Sequence, residues 1–224
     1  CAASRPRRAA AAAPAGTQPR GVDVTLHNLA TGKDQLFGSV GDAAFNKGGD
    51  LLAYTVDAAA KDSNGLVLVD LAANRIAPLD NDAKFYNRLT WNDGGTSLAV
   101  LKGTDVEKMR EKQNVLLVFN NVKGALTGAA VTPVVLDPSK AEGFPKDWVI
   151  SDRAALDFSD DGQRVFFGMK MQVPTPAAAG RRNPDTDVDV DIWSSFDERI
   201  QSMQMTRADQ DRNFTFREAF DAGA

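Results

Sequence analysis

The chain has 224 residues, of which 43% are apolar and 25% are charged, as is typical of a soluble globular protein. Its net charge of −4 argues against nucleic-acid binding, which requires a basic surface, and no apolar run approaches the roughly 18 residues of a membrane span. The single cysteine, Cys1, excludes a disulfide within the chain.

The first 20 residues are rich in Ala, Arg and Pro. They have too little apolar surface to offset the entropy lost on ordering, so we predict a disordered tail over residues 1–20. Its arginines could touch acidic lipid or nucleic acid, although a solvated tail is favoured; they are Arg5, Arg7, Arg8 and Arg20. Small residues after Cys1 are typical of a mature bacterial lipoprotein, so a lipid anchor at Cys1 and a truncation that begins there stay open as alternatives.

From residue 22 onward the sequence alternates strand and turn signals. The first cycle predicts strands at 22–29, 34–40, 42–45, 51–56, 66–71 and 75–79. The second cycle predicts strands at 86–91, 97–102, 115–119 and 131–136, and the third begins with 153–158 and 164–169. After a Pro- and Ala-rich loop, the sequence predicts a strand at 188–193, a helix or ordered connection at 197–212, and the beginning of another strand after residue 213.

One hairpin recurs three times, as FNKGGDLLAYTV at 45–56, WNDGGTSLAVLK at 91–102 and FSDDGQRVFFGM at 158–169. Its aligned glycines, Gly49, Gly95 and Gly162, are 46 and then 67 residues apart. The first spacing matches one β-propeller blade of about 40–50 residues. The second is 21 residues longer. We assign this excess to a charged, helix-prone insertion at 103–113 and a loop at 137–147, because the cost of loop closure grows slowly with length.

The repeated strands are apolar on both faces, as in Leu51, Leu52, Ala53 and Tyr54. A blade between two other blades buries both faces of its sheet, so the alternation of a half-exposed strand disappears. We therefore predict an all-β fold over residues 21–224, a partial β-propeller of about three to four four-stranded antiparallel blades. Such an array cannot close a ring, so we expect both terminal blades to expose apolar faces and the isolated chain to behave poorly.

The turn of the repeat has a chemistry of its own. Gly49, Gly95 and Gly162 suit a turn position with positive φ. Polar side chains before them are predicted to hydrogen-bond the turn backbone; they are Asn46, Asn92, Asp93, Asp160 and Asp161.

His27 is the only histidine, so a Ser–His–Asp triad would need it as the general base. The chain lacks a G-x-S-x-G nucleophile motif, because the residues from Gly38 to Gly41 have the wrong spacing. A histidine on the surface of a blade is therefore the favoured interpretation of His27.

Four aspartates alternate with other residues near the C-terminus; they are Asp185, Asp187, Asp189 and Asp191. Carboxylates at this spacing lie on one face of a strand, or could wrap Ca²⁺ in a loop. The glycine and glutamate of an EF-hand are absent, so a solvated strand edge is favoured and calcium is the alternative. The run Asp160-Asp161-Gly162 has the same ambiguity, and its place in the repeat favours a turn.

The three tryptophans, Trp91, Trp148 and Trp193, could form an aromatic ligand surface. Trp91 occupies the repeat position of Phe45 and Phe158, which predicts a core residue, and packing is favoured for the other two as well. The charges at 103–113 favour a solvated helix face.

Residues 188–216 (VDVDIWSSFDERIQSMQMTRADQDRNFTF) resemble a stretch that follows several propeller blades in large bacterial members of the prolyl oligopeptidase family of serine peptidases. The residues that carry this likeness are Asp191, Ile192, Trp193, Asp197, Glu198, Arg199, Ile200, Gln201, Gln204, Asp211, Arg212 and Asn213. The repeated hairpins resemble the TolB-like blades of the same N-terminal propellers.

The resemblance implies a propeller that covers an α/β-hydrolase domain and filters peptide substrates by size, with all catalytic residues in the hydrolase domain. This chain would be a fragment that lacks that domain, so we assign it no catalytic, cofactor-binding or metal-binding residue. A TolB-like propeller that serves as a protein-binding scaffold in the cell envelope stays open as an alternative. A periplasmic or secreted location in a bacterium is expected, and a cytoplasmic one stays open.

Overall fold

The computed structural model describes residues 21–175 and 199–223, which form three antiparallel sheets. The first sheet contains β1 (Val22–His27), β2 (Asp34–Phe45), β3 (Leu51–Val56), β4 (Gly65–Asp70) and β5 (Arg75–Asn81). The second contains β6 (Phe85–Trp91), β7 (Leu98–Thr104), β8 (Gln113–Phe119) and β9 (Val134–Leu136). The third contains β10 (Trp148–Ile150), β11 (Asp157–Phe158), β12 (Arg164–Met171) and β13 (Phe216–Asp221).

Strand order follows the chain in the first two sheets. In the third sheet, β10 and β11 pair with one edge of β12, and β13 pairs with the other edge. The two short strands are thus halves of one interrupted first strand. This arrangement confirms the predicted all-β fold, a partial β-propeller with three consecutive blades in the described residues.

The three sheets pack face to face in chain order. The core between the first and second sheets consists of buried residues, namely Leu51, Ala53, Leu66, Leu68, Tyr86, Leu89, Leu98, Val100, Leu117, Phe119 and Val122. The core between the second and third consists of Ala99, Leu101, Leu116, Val118, Ile150, Leu156, Val165, Phe167 and Ala222. Neighbouring residues of β7 lie in opposite cores, so its continuous apolar run reflects burial on both faces.

The first strands of the blades converge. β2 lies against β6 and β6 lies against β11, whereas no comparable contact joins β5 to β9 in the described residues. The turns 46–50, 92–96 and 159–163 lie at one end of these strands, which we call the turn end. The opposite end carries loops 57–64 and 105–112 and the beginning of the 172–215 connection, and we call it the connection end.

The turn end is built as predicted in the first two blades. The side-chain oxygen of Asn46 accepts hydrogen bonds from the backbone N–H groups of Asp50 and Leu51, at 3.1 and 3.0 Å. Asn92 holds the second turn in the same way. Asp93, which was expected to support this turn, instead pairs with Lys47 of the first blade at 3.0 Å.

The third turn uses a different residue for the same role. The hydroxyl of Ser159 accepts a hydrogen bond from the N–H of Arg164 at 3.0 Å, and donates one to Asp161 at 2.5 Å. Gly162 has φ of 70°, as Gly49 does, and Gly95 has 63°. The turn interpretation of residues 160–162 is confirmed, but Ser159 takes the position that Asn46 has in the first blade.

The first two strands differ from the prediction. β2 is one strand rather than two, and a register shift between Val40 and Ala43 marks the bulge that bends it. The hairpin of β1 and the first half of β2 packs across the outer face of the first sheet, where Phe37 contacts Leu52 and Tyr54. The expectation of an exposed apolar face on both terminal blades is therefore wrong for the first blade.

The length difference between the first two repeats arises only in part where the sequence predicts it. Residues 105–112 form no helix, and this loop has the same eight residues as loop 57–64, so 103–113 is not an insertion. The excess lies in the β8–β9 connection, 120–133, which contains the short helix α1 (Lys123–Leu126), and in the predicted loop 137–147.

The third blade contains the long connection of the chain. Residues 172–215 separate β12 from β13 and include the helix α2 (Gln201–Arg212), so the described part of 197–212, predicted as a helix or an ordered connection, contains a helix. β13 confirms the strand expected after residue 213, and β10 lies outside the strand predicted at 153–158. The strand predicted at 188–193 and the tail predicted at 1–20 lie outside the described residues.

Candidate functional site

A polar pocket of about 420 Å³ opens at the connection end, where the first strands of the blades meet. β2 and β6 have bulges there, and the first strand of the third blade is interrupted between β10 and β11. We call this site the bulge pocket; its lining residues are Gly41, Asp42, Asn87, Arg88, Lys112, Asp152 and Arg153. A bulge re-aims the side chains of its strand, and here each blade contributes a charged group to one space.

Arg88 occupies the bulge of β6. Its φ of 60° is a left-handed conformation that is uncommon for residues other than glycine. Its Nε donates a hydrogen bond to the carbonyl oxygen of Asp152 at 2.6 Å, and an Nη donates to that of Arg153 at 3.5 Å. These bonds join the second blade to the third and hold the guanidinium at the pocket.

The third blade contributes a carboxylate and a second guanidinium. Lys112 donates a hydrogen bond to Asp152 at 3.0 Å, and both side chains are largely buried. The Nε of Arg153 is 3.9 Å from the same carboxylate, and its side chain is 49% exposed. Lys112 and Asp152 therefore form an enclosed pair, whereas Arg153 extends toward solvent.

The first blade contributes Asp42, from the bulge of β2. Its N–H donates a hydrogen bond to the hydroxyl of Thr55 at 2.9 Å, and its carboxylate accepts one from the N–H of Leu89 at 3.1 Å. The carboxylate thus joins the first blade to the second across the pocket.

Asn87 is the unsatisfied member of the lining. Its side-chain nitrogen is buried and has no hydrogen-bond partner within residues 21–175 and 199–223. A buried donor without an acceptor costs about 1–3 kcal/mol, and this nitrogen is closed to solvent beside the pocket.

The lining combines three cations, Arg88, Lys112 and Arg153, with two carboxylates. This balance suits the binding of a hydrogen-bond acceptor or a single negative charge. Among the described residues that line the pocket, none is a serine, cysteine or histidine that could act as a nucleophile or a general base. In the part of the chain that the structure describes, no cluster of three or more metal-ligating residues occurs, and no helix is long and apolar enough to cross a membrane.

The loop behind the pocket is held by a buried ion pair. Glu111, whose side chain is 2% exposed, lies 3.1 Å from the ammonium of Lys170, which also donates to the carbonyl of Arg212 at 2.6 Å. Gln172 exchanges two further hydrogen bonds with the backbone of Glu111. The prediction of a solvated helix face at 103–113 is therefore wrong, because this loop docks on the third blade.

A second polar network lies at the same end, between the first two blades. The hydroxyl of Tyr86 donates a hydrogen bond to Asp80 at 2.7 Å, and Lys102 binds Asp80 and Asp82 at 2.8 and 2.9 Å. Burial, with Asp80 as acceptor, raises the pKa of Tyr86. Burial opposes the charge of Lys102, but its hydrogen bonds to Asp80 and Asp82 outweigh burial and raise its pKa. The hydrogen bond from Lys102 to Asp82 lowers the pKa of Asp82.

The other candidates from the sequence lie away from the bulge pocket. His27 is exposed at the end of β1 and contacts Asp34 at 2.5 Å, so its surface assignment stands. Trp91 packs on the first core and donates a hydrogen bond to the carbonyl of Ala44 at 3.0 Å. Trp148 is half-buried, with its ring 5.4 Å from that of Phe216.

The remaining candidates lie outside the described residues. They are Cys1, the tail arginines, Asp185, Asp187, Asp189, Asp191 and Trp193. The calcium and lipid-anchor alternatives stay predictions.

Sequence reasoning missed the bulge pocket, although one signal for it was present. The aligned repeat positions 42, 88 and 155 hold Asp, Arg and Ala, and the first two of these residues line the pocket. Divergence at one position of a structural repeat indicates a place that the fold does not constrain.

No protein-family model matches the sequence, and no curated protein matches it. Solved structures that resemble the chain include the β-propeller domain of the trilobed protease from Pyrococcus furiosus, with 10% identity and a TM-score of 0.43 over 71% of this chain and 43% of that one. Another is the acylaminoacyl peptidase of Pyrococcus horikoshii, with 12% identity and a TM-score of 0.41 over 65% of this chain and 23% of that one. A third is hydrazine synthase from Kuenenia stuttgartiensis, with 11% identity and a TM-score of 0.44 over 68% and 44%.

Two of these three structures are named as a protease or a peptidase, and the third is named as hydrazine synthase. The chain spans less than half the length of each. Likeness at this level carries no argument about activity, and the sheets of the chain itself identify the partial propeller.

Proposed function

We propose that this chain forms part of the wall of a β-propeller that covers a serine-hydrolase domain and restricts which peptides reach it. The observation that carries the proposal is the bulge pocket. There, three blades direct charged side chains into one space on the side where their first strands converge. The resemblance of segment 188–216 to a segment of prolyl oligopeptidase family members supports the choice of a peptidase as the full-length protein.

A propeller wall can restrict the access of peptides only if its blades keep fixed positions. The blades are fixed by two apolar cores and by hydrogen bonds between first strands, such as that from Leu89 to Asp42 and that from Arg88 to Asp152. A channel lined by such strands admits an extended peptide and excludes a folded protein. The chain supplies no G-x-S-x-G motif, so the bond-breaking chemistry belongs to another domain.

Fluorophosphonate labelling tests the proposal. The protein encoded by the full coding region is expected to be labelled at a serine of a G-x-S-x-G motif, and the 224-residue chain is expected to stay unlabelled. A full-length protein without that motif, or without label, would contradict the peptidase assignment and favour the envelope scaffold.

A second measurement tests gating itself. The full-length enzyme is expected to cleave a short peptide much faster than the same sequence placed in a loop of a folded protein. Equal rates on the two substrates would show that the propeller restricts nothing.

A further inference from the structure

We infer that the bulge pocket binds a carboxylate group of a peptide, with Arg153 and Arg88 as the recognising cations. The inference rests on the proposed function only in taking a peptide as the ligand, because the donors all belong to this chain.

The hydrogen bonds already made in the pocket engage one oxygen of each carboxylate and leave the guanidinium donors of Arg153 without a hydrogen bond in the described residues. The carboxylate of Asp42 accepts from the N–H of Leu89, and that of Asp152 accepts from Lys112. By contrast, the side chain of Arg153 has only the 3.9 Å contact with Asp152 in the described part of the chain. A guanidinium presents a planar fork of donors that matches the two oxygens of a carboxylate.

Arg88 supplies a second, preorganised cation. Its left-handed backbone is a conformation that costs free energy unless surrounding contacts impose it. The bonds from its guanidinium to the backbone carbonyl oxygens of Asp152 and Arg153 fix the side chain against the third blade. The cation is thus in place before a ligand arrives, and little entropy is lost when the ligand binds.

Asn87 lines the pocket and its side-chain nitrogen is buried, so a change of side-chain rotamer would present a neutral donor to a ligand. A ligand oxygen that reached this nitrogen would satisfy a group that lacks a partner in the described residues. We expect the pocket to prefer ligands whose oxygen accepts a hydrogen bond from Asn87. A ligand without such an oxygen would leave this buried donor unpaired, which costs free energy.

The charge balance selects the ligand class. The pocket has three cations and two carboxylates, so its surplus is one positive charge, which a carboxylate neutralises. A doubly charged phosphate would face repulsion from Asp42 and Asp152, and an ammonium group would face the three cations. A monoanionic peptide carboxylate is therefore the favoured ligand.

Calorimetric titration of the 224-residue chain with N-acetyl-trialanine and with its C-terminal amide tests the inference. We expect the acid to bind about tenfold more tightly than the amide, the size of effect that a charged hydrogen bond produces. Arg153→Gln is expected to abolish this preference while binding of the amide stays unchanged.

Arg217→Gln is the matched control. Arg217 lies in the same blade, has a side chain that is 66% exposed against 49% for Arg153, and sits 3.6 Å from the carboxylate of Asp157, but it is outside the bulge pocket. The preference for the acid should survive this substitution. Arg88→Asn, which keeps a residue tolerant of the left-handed backbone, should weaken binding of the acid.

Equal affinity for acid and amide, absence of binding by both, or a preference that survives Arg153→Gln would overturn the inference. None of these results bears on fluorophosphonate labelling of the full-length protein. The carboxylate site and the peptidase assignment can therefore fail independently.

Discussion

At the turn end, the three inner hairpins repeat one arrangement. A side-chain oxygen holds the turn backbone in each blade, from Asn46, Asn92 and Ser159, and a glycine follows it with positive φ. At the connection end, the same first strands carry Asp42 in one blade, Arg88 in the next and an interruption in the third.

This difference between the two ends distinguishes residues that maintain the fold from residues that we propose bind a ligand. The turn end is uniform because in every blade the chain reverses direction there between two buried strands. The connection end varies because bulges give each blade freedom to place a different side chain. Substitutions at the turn end should therefore change stability, and substitutions in the bulge pocket should change binding.

The largest stability effect is expected from Asn46→Ala. Asn46 is 6% exposed and holds the N–H groups of Asp50 and Leu51, while its nitrogen bonds Asp50 at 2.6 Å and the carbonyl of Gly95 at 3.4 Å. Its removal leaves buried backbone donors unpaired, so the free energy of unfolding should fall by about 2–3 kcal/mol in urea denaturation.

The equivalent changes in the other blades calibrate this result. Asn92→Ala and Ser159→Ala remove more exposed acceptors and should each cost about 1 kcal/mol or less. A cost for Asn46→Ala no larger than that for Ser159→Ala would break the claim that the buried first turn anchors this end.

Gly95→Ala is expected to have the next largest effect. Gly95 has φ of 63°, and a methyl group there would lie 3.0 Å from the side-chain nitrogen of Asn46. The left-handed backbone alone costs about 1–2 kcal/mol for a residue with a Cβ. Thermal unfolding should show this loss, while Gly94→Ala, with ordinary contacts at 3.5 Å, should be neutral.

Alkaline stability tests the Tyr86–Asp80 network at the connection end. The pKa of Tyr86 is raised in the fold above its unfolded value of about 10, so its contribution is complete below about pH 10 and is lost as pH rises above it. Tyr86→Phe should lower stability at pH 7 by about 1 kcal/mol, through the lost bond to Asp80, and flatten the decline above about pH 10.

Tyr54→Phe provides the comparison, because burial alone raises the pKa of Tyr54. Its effect on the alkaline slope of unfolding free energy should be smaller than that of Tyr86→Phe. Identical slopes for the two variants would show that the Asp80 network has no part in alkaline unfolding.

The smallest effect is expected from Lys47→Gln. Its ion pair with Asp93 links two turns, but the side chains are 68% and 79% exposed. Pairs exposed to this degree contribute less than about 1 kcal/mol, so urea unfolding should change by a few tenths and only at low salt. A loss as large as that for Gly95→Ala would mean that charge holds the turns together.

Much of this architecture could be predicted from local signals. Doubly apolar strands such as β3 and β7 and the glycine turns identify a stacked blade, because burial on two faces and positive φ restrict residue choice at short range. The strand 51–56 was predicted with its observed bounds.

What escaped prediction depends on contacts between distant segments. Loop 105–112 is rich in charged residues, which favours a solvated helix, yet Glu111 is buried against Lys170 of another blade. β1 folds over the first sheet because β2 bends at the bulge that contains Gly41, and the packing of Phe37 on Leu52 and Tyr54 joins segments that are distant in sequence. The bulge pocket escaped for the same reason, since it combines single residues from three blades.

The most direct test of the division between the two ends compares Asn46→Ala with Arg153→Gln in one set of measurements. Unfolding free energy from urea denaturation and affinity for N-acetyl-trialanine would be determined for both variants. We predict that Asn46→Ala loses stability and keeps its affinity where the chain stays folded, while Arg153→Gln keeps its stability and loses affinity about tenfold. Loss of both properties in Arg153→Gln, or of neither, would contradict the account.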